Sequence, residues 1–175
     1  VVLMSNNLIE LQNVCAILGR TQVLDHVNLQ LREGEILGLW GDNGSGKSAL
    51  VSLLAGVHAL SQGQILLDGK AYCPSSPSDA QRLGVQTIFQ QPALLPNLSV
   101  AENLAQQRLV ELVKVSRSDA RVLIVDELDS VLTVQELAPV FRVLRSLRAR
   151  GMSVLYISHR IESLAALCDR VCIIR

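Results

Sequence analysis

An excess of charge is the first thing missing from this sequence: sixteen lysines and arginines are balanced by sixteen aspartates and glutamates over 175 residues. Without a net field the chain has no long-range attraction for a polyanion, which argues against nucleic acid as a partner and against direct adsorption to an anionic bilayer. Nearly half of the residues are apolar, yet no run approaches the roughly 18 to 20 needed to cross a membrane. The opening residues also lack the charged-then-apolar pattern of a secretory signal. The expectation is a cytosolic chain that reaches a membrane only by docking on another protein. Cys15, Cys73, Cys168 and Cys172 include no C-x-x-C pair, and the last two lack further ligands at zinc spacing. They are expected to be reduced, mostly buried, small apolar residues rather than a metal site. There is no internal repeat and no low-complexity tract, and the length suits one domain with a sizeable core.

What the chain does possess is a phosphate-binding pattern. The residues from Gly41 to Ser48, Gly-Asp-Asn-Gly-Ser-Gly-Lys-Ser, match G-x-x-x-x-G-K-[ST]. The apolar run Ile36-Leu37-Gly38-Leu39-Trp40 precedes them as a strand would, and Ala49 to Ala55 reads as a helix. Glycines let backbone N–H groups converge on phosphate oxygens, and the helix N-terminus adds positive potential. Gly41, Asn43, Gly44, Ser45, Gly46, Lys47, Ser48 and Ala49 are therefore the candidate nucleotide-binding residues, with Lys47 for the β- and γ-phosphates and the Ser48 hydroxyl for Mg²⁺. A chance glycine-rich turn is the bland alternative, and it would have to coincide with both the Lys-Ser pair and the strand-loop-helix context.

Along the chain, Leu8 to Gln12 and Val27 to Leu31 alternate apolar and polar residues and predict an antiparallel strand pair. Arg32-Glu33-Gly34-Glu35 is a turn, Gln64 to Leu67 a strand ending in the tight turn Asp68-Gly69, and Ser78 to Leu83 a short helix after a Pro/Ser-rich loop. Val85 to Phe89 is a further strand. Beyond Pro92, Ser99 could cap a helix through Glu102, and Ala105 to Val115 reads as helix with Leu109, Leu112 and Val113 on one side. Val122 to Val125, Val154 to Ile157 and Val171 to Ile174 are short, continuous apolar runs, the mark of strands buried on both faces of a parallel sheet. Leu137, Val140, Phe141, Leu144 and Leu147 recur at helical spacing, with Pro139 expected in the first turn. The alternation implies an α/β fold with right-handed βαβ crossovers.

A second group of candidates stands at the ends of these strands. Asp126 and Glu127 follow the run Val122 to Val125, at the sheet edge where ligands bind in parallel sheets. Asp126 suits orientation of Mg²⁺. Glu127 suits a general base that polarises an attacking water. A helix-capping acid pair is the structural alternative. His159, in Tyr-Ile-Ser-His-Arg, would emerge at the same edge and could sense a γ-phosphate, or be an ordinary surface histidine. Gln90 could ligate Mg²⁺ or position water, and it too could be a plain surface residue.

These segments together resemble the ATP-binding subunit of ATP-binding cassette transporters, with wording closest to the sugar-importer branch. The resemblance runs from about Leu8 to Arg175. It rests on the phosphate loop, Leu53-Leu54-Ala55-Gly56, Gly63-Gln64-Ile65-Leu66-Leu67-Asp68-Gly69, Phe89-Gln90-Gln91-Pro92, Leu98-Ser99-Val100-Ala101-Glu102-Asn103-Leu104, the Asp126-Glu127 box and Ser158-His159-Arg160. The fold it implies is a P-loop NTPase with a mostly parallel central sheet flanked by helices and a small antiparallel β element on the N-terminal side. It also implies ATP and Mg²⁺ as cofactors, with Ser48, Gln90 and Asp126 as metal residues. Glu127 becomes the catalytic glutamate, His159 the switch histidine and Gln90 the family's Q-loop glutamine. Implied partners are a second cassette arranged head to tail, as homo- or pseudo-dimer, transmembrane permease subunits and, indirectly, a solute-binding protein. The location would be the cytoplasmic face of the cell membrane.

Departures from the family pattern are equally concrete. Only 36 positions separate Gln90 from Asp126, where the family inserts a helical subdomain. The Leu-Ser-Gly-Gly portion of the signature is missing before the Gln106-Gln107-Arg108 stretch. The expectation is one abbreviated nucleotide-binding domain over residues 1–175, lacking the helical subdomain near 103–106 and truncated at its C-terminus. Signature donors can each contribute roughly 2.7 to 4 kcal/mol in catalysis. Their loss makes a nucleotide-binding module without hydrolysis or transport the alternative to an ATP-hydrolysing sugar-import subunit. A cassette acting on DNA or ribosomes is disfavoured by the neutral charge. Leu18 stands where the family usually has an adenine-stacking aromatic, Leu128 and Asp129 replace Pro-Thr, and Trp40 is read as core packing rather than a base-stacking surface.

Overall fold

The computed structural model describes residues 6–89, 110–130 and 134–175. In chain order these form β1 (Asn7–Leu18), β2 (Thr21–Arg32), β3 (Ile36–Trp40), α1 (Lys47–Leu54), β4 (Gln62–Leu67), β5 (Lys70–Ala71), α2 (Pro77–Arg82) and β6 (Val85–Ile88). After residue 110 come the helical stretch α3 (110–116), β7 (Val122–Asp126), α4 (Val134–Ala149), β8 (Ser153–Ser158), α5 (Ile161–Leu167) and β9 (Arg170–Ile173). Gln90, the expected cap at Ser99 and the segment preceding α3 lie outside the described residues.

The described residues form two sheets. One is antiparallel, in the order β2-β1-β4-β5, and the other is parallel, in the order β6-β7-β8-β3-β9. The expected alternating pair is the long β1–β2 hairpin, with Leu11 opposite Leu29 and Val14 opposite Val27. β4 adds to its other edge, and the turn into β5 has both Asp68 and Gly69 in the left-handed region, at φ 53° and 70°, as a tight hairpin turn requires. α2 begins at Pro77, whose missing N–H costs nothing at the first helical position, and the Ser76 hydroxyl accepts from Asp79 N–H at 3.2 Å as its cap.

Continuous apolar runs are explained by two cores lying on opposite faces of the parallel sheet. From β7, Val122 and Ile124 enter one core and Leu123 and Val125 the other. β8 divides in the same way, with Leu155 and Ile157 on one face and Val154 and Tyr156 on the other. The first core also takes in α1, α2 and the antiparallel sheet, and the second takes in α3, α4 and α5. A strand covered on both sides has no solvent face for a polar residue, so β7 and β8 are buried along their whole lengths.

Four expectations are corrected. β9 is a sheet edge beside β3, and its exposure alternates instead of vanishing, with Val171 and Ile173 open to solvent. On α3, Leu112 and Val115 face the core while Val113 is exposed, because a 3.6-residue turn carries the buried stripe from 112 to 115. Pro139 lies beyond the first turn of α4, where it forgoes an intrahelical hydrogen bond that the helix tolerates because Leu137, Val140 and Leu144 pack into the core. Of the cysteines, only Cys15 is buried, and Cys73 is exposed.

Leu123 is fully buried on the central strand β7. Its replacement by alanine is expected to lower the unfolding free energy by about 2–5 kcal/mol, read from the midpoint of a urea titration. A loss under about 1 kcal/mol would show that the site collapses freely and is not clamped by the second core.

Candidate functional site

The parallel strands direct their C-terminal ends to one edge, and the candidate residues collect there. β3 ends at Trp40, after which the loop 41–46 turns into α1. Gly41 has no room for a side chain, since a Cβ would stand 2.7 Å from the Ile174 carbonyl oxygen. Gly46 is in the left-handed region at φ 96°, and a Cβ there would meet Leu24 at 2.6 Å and the Val23 carbonyl oxygen at 2.7 Å. The loop is thus compressed between the β1–β2 hairpin and the residue following β9. Gly46 is the N-cap of α1 and no side chain caps it, so the first-turn amides of the helix have no intrahelical acceptor and suit an anion.

Lys47 is buried, and its ammonium donates to the carbonyls of Gly41 at 2.6 Å and Asp42 at 2.8 Å. Ser45 contributes a buried hydroxyl oxygen without a hydrogen-bond partner among the described residues. Asn43, Gly44, Gly46, Lys47, Ser48 and Ala49 line a cleft of about 340 Å³, closed by Glu127 and by Leu18 and Val23 of the hairpin. Uncapped amides, the Ser48 side chain and a lysine along one cleft form a donor set that fits a polyphosphate.

Asp126 is the buried last residue of β7. Glu127 follows in the left-handed region at φ 45°, with its N–H donating to the Ile157 carbonyl at 3.0 Å. A non-glycine residue held there costs on the order of 1–3 kcal/mol, and such strain is concentrated at functional positions. One carboxylate oxygen, Oε1 of Glu127, stands 4.0 Å from Lys47 Nζ and 3.6 Å from His159 Nδ1. Lys47, Glu127 and His159, far apart in sequence, therefore meet beside the phosphate loop, with Asp126 adjacent. Ser48 opens onto the cleft, and Gln90 lies outside the described residues.

Contacts around His159 involve residues that the sequence did not nominate. The Trp40 indole N–H donates to the His159 carbonyl at 3.3 Å, so this side chain ties the phosphate-loop strand to the histidine while also packing on the second core. Asp129 is fully buried and accepts from the Ser158 hydroxyl at 2.6 Å, and its own carbonyl accepts from the Arg160 guanidinium at 3.0 Å. Beneath them burial, reinforced by the Asp129 charge, holds the Tyr156 phenol far above its ordinary pKa. The replacement of Pro-Thr by Leu128-Asp129 was the one available signal. It marked the position without naming the partner.

Residues 24–114 match the family profile described as ABC transporter. The chain belongs to that family. Ribose import ATP-binding protein RbsA 2 of Streptomyces avermitilis is 36% identical over 209 residues, covering 94% of this chain and 41% of its own length. Ribose import ATP-binding protein RbsA of Bacillus licheniformis is 32% identical over 211 residues, covering 95% of this chain and 43% of its own length. This ABC chain thus spans less than half the length of those curated relatives. A nucleotide-free ATP-binding cassette from an ABC transporter shares the fold, with a TM-score of 0.77 at 18% identity over 96% of this chain and 87% of that one.

Gly46→Ala is expected to weaken nucleotide affinity roughly tenfold or more, because the left-handed backbone and the Val23 contact must both give way. Binding of a fluorescent ATP analogue measures it, and an affinity equal to that of the unaltered protein would show that the loop does not need its present path.

Proposed function

We propose that this chain binds ATP with Mg²⁺ in the cleft of residues 41–49 and hydrolyses it to drive import of a sugar or similar small solute through membrane subunits. The observation that carries the reading is the meeting of Lys47, Glu127 and His159 at the phosphate loop. The loop amides and Lys47 hold the β- and γ-phosphates, and Ser48 and Asp126, with Gln90, hold Mg²⁺. Mg²⁺, when bound, neutralises charge on the phosphates. Glu127 takes the proton of the attacking water as general base, and His159 donates a hydrogen bond to a γ-phosphate oxygen.

Sugar import is supported by the ribose import names of the relatives. In this reading the ABC chain works head to tail with a second cassette, docks on permease subunits and receives solute indirectly from a solute-binding protein, without nucleic acid. Among the described residues no helix is long and apolar enough to cross a membrane; the peripheral place on the cytoplasmic face is part of the same proposal. The domain is read as one abbreviated cassette. Alignments of 209 and 211 residues exceed the 175 of the chain, so the relatives carry residues inside the aligned span that this chain lacks. That shortening, together with the missing Leu-Ser-Gly-Gly, motivates a second reading: nucleotide binding without turnover.

ATP turnover in the presence of membrane subunits, paired with ATP affinity, tests both. Glu127→Gln is expected to reduce turnover at least about 100-fold with affinity retained. An unchanged rate would remove Glu127 from its role, and an unaltered protein that binds ATP but never turns it over would establish the second reading.

A further inference from the structure

The β1–β2 hairpin contains an irregularity that the nucleotide chemistry does not use. Val14 pairs with Val27 and Ala16 with Leu24, so between those pairs a single residue of β1, Cys15, faces two of β2, Asp25 and His26. This is a bulge of two residues against one, a device that re-aims side chains. The backbone is left-handed on both strands beside it, at His26 (φ 45°) and at Asn13 (φ 50°). An amide clasp holds the two together: Asn13 N–H donates to Asn28 Oδ1 at 3.0 Å, and Asn28 Nδ2 donates to Asn13 Oδ1 at 3.3 Å and to the His26 carbonyl at 2.9 Å.

Consecutive residues of a regular strand point to opposite faces. Here the left-handed step brings Asp25 and His26 to the same side, with Asp25 Oδ1 and His26 Nδ1 only 2.7 Å apart. Cys15 Sγ lies beneath them and accepts the His26 backbone N–H at 3.2 Å. The sulfur, a carboxylate oxygen and an imidazole nitrogen all lie within 4.8 Å of one another. In a tetrahedral zinc centre, bonds of about 2.0–2.3 Å set ligand atoms about 3.3–3.8 Å apart. Side-chain rotations moving these atoms by about 1 Å therefore suffice, and no backbone shift is needed.

We propose that Cys15, Asp25 and His26 form a three-ligand site for a divalent cation of the zinc class, separate from the Mg²⁺ residues of the nucleotide cleft. Thiolate, imidazole and carboxylate together select zinc-like ions over Mg²⁺ or Ca²⁺, which prefer oxygen-only shells. Cys15 is buried while the side chains of Asp25 and His26 are 75% and 65% exposed, so the ion sits at the surface above the sulfur with its fourth position open to water. Binding releases the Cys15 thiol proton to solvent, and a proton on His26 Nδ1 leaves to solvent or is replaced by one on Nε2, which frees Nδ1 for the ion. The same hairpin supplies Leu18 and Val23 to the cleft, so the metal staples together the two strands that form that wall. The proposal rests on the hairpin alone and stands whether or not the chain hydrolyses ATP.

Co²⁺ is the probe, because thiolate ligation gives it a charge-transfer absorption that oxygen and nitrogen ligands do not. The metal-free intact protein carrying Cys73→Ser is used, which removes the one exposed thiol. Cys168 does not compete, since burial, with the charges of Asp169 and Asp129, pushes its thiol up to about 12. One equivalent of Co²⁺ is expected to produce the band, and Zn²⁺ to abolish it. Adding Cys15→Ser is expected to eliminate the band. His26→Gln and Asp25→Asn, both at exposed positions that leave the core intact, are each expected to weaken Co²⁺ binding at least about tenfold. Absence of the band, its survival in Cys15→Ser, or unchanged affinity in both exposed-site variants would overturn the proposal.

Discussion

Coverage of the parallel sheet on both faces is the constraint from which the rest of the molecule follows. β7 and β8 are buried over their full lengths, and an unpaired polar group there would cost several kcal/mol. The charged groups of the site are therefore displaced to the C-terminal ends of the strands, and within β8 the one polar side-chain atom between its terminal serines is the Tyr156 hydroxyl. The loop after β3, the acids after β7 and the histidine after β8 share one edge for that reason, and their sequence separations are irrelevant to their meeting. The register Asp126↔Ile157 and Trp40↔Ser158 aligns the three exits.

Precision at that edge comes from restraints of two kinds. Backbone restraints set the loop's path: Gly41 packs against Ile174, Gly46 against the Val23 carbonyl and the Leu24 side chain, and Glu127 is held in a conformation disfavoured for a side-chain-bearing residue. Side-chain restraints join the exits to one another. Ser158 binds Asp129, Arg160 binds the Asp129 carbonyl, and Trp40 binds the His159 carbonyl. A fully buried carboxylate is costly unless hydrogen-bonded, so the Asp129–Ser158 bond is a requirement of burial as well as a link between the acid loop and the histidine loop.

Much of the fold was legible because its signals are local. The run Ile36 to Trp40 before a glycine-rich Lys-Ser motif predicts a strand entering a phosphate loop, and the observed strand has those bounds. Alternation in β1 and β2 and unbroken apolarity in β7 and β8 reported how many faces each strand buries. The misreadings have equally specific causes. Val171 to Ile174 has the composition of a central strand but occupies an edge, because composition records affinity for a core and not which neighbours arrive. Val113 was placed on the wrong side of its helix, and Pro139 was placed too early because the start of α4 carries no sharp apolar boundary.

The sequence by itself determined the family, the α/β architecture and the phosphate loop, since each depends on residue order within a window of a few turns. It also named Asp126, Glu127 and His159 as candidates, through their position after buried runs. Only the tertiary structure decided that one oxygen of Glu127 stands near both Lys47 and His159, that Trp40 and Asp129 secure the histidine loop, and that Cys15 faces Asp25 and His26 across a bulge. Such contacts arise from strand register and from single residues of left-handed backbone. A one-residue slip in pairing reverses every side chain on a strand, and no spacing along the chain encodes where the slip occurs.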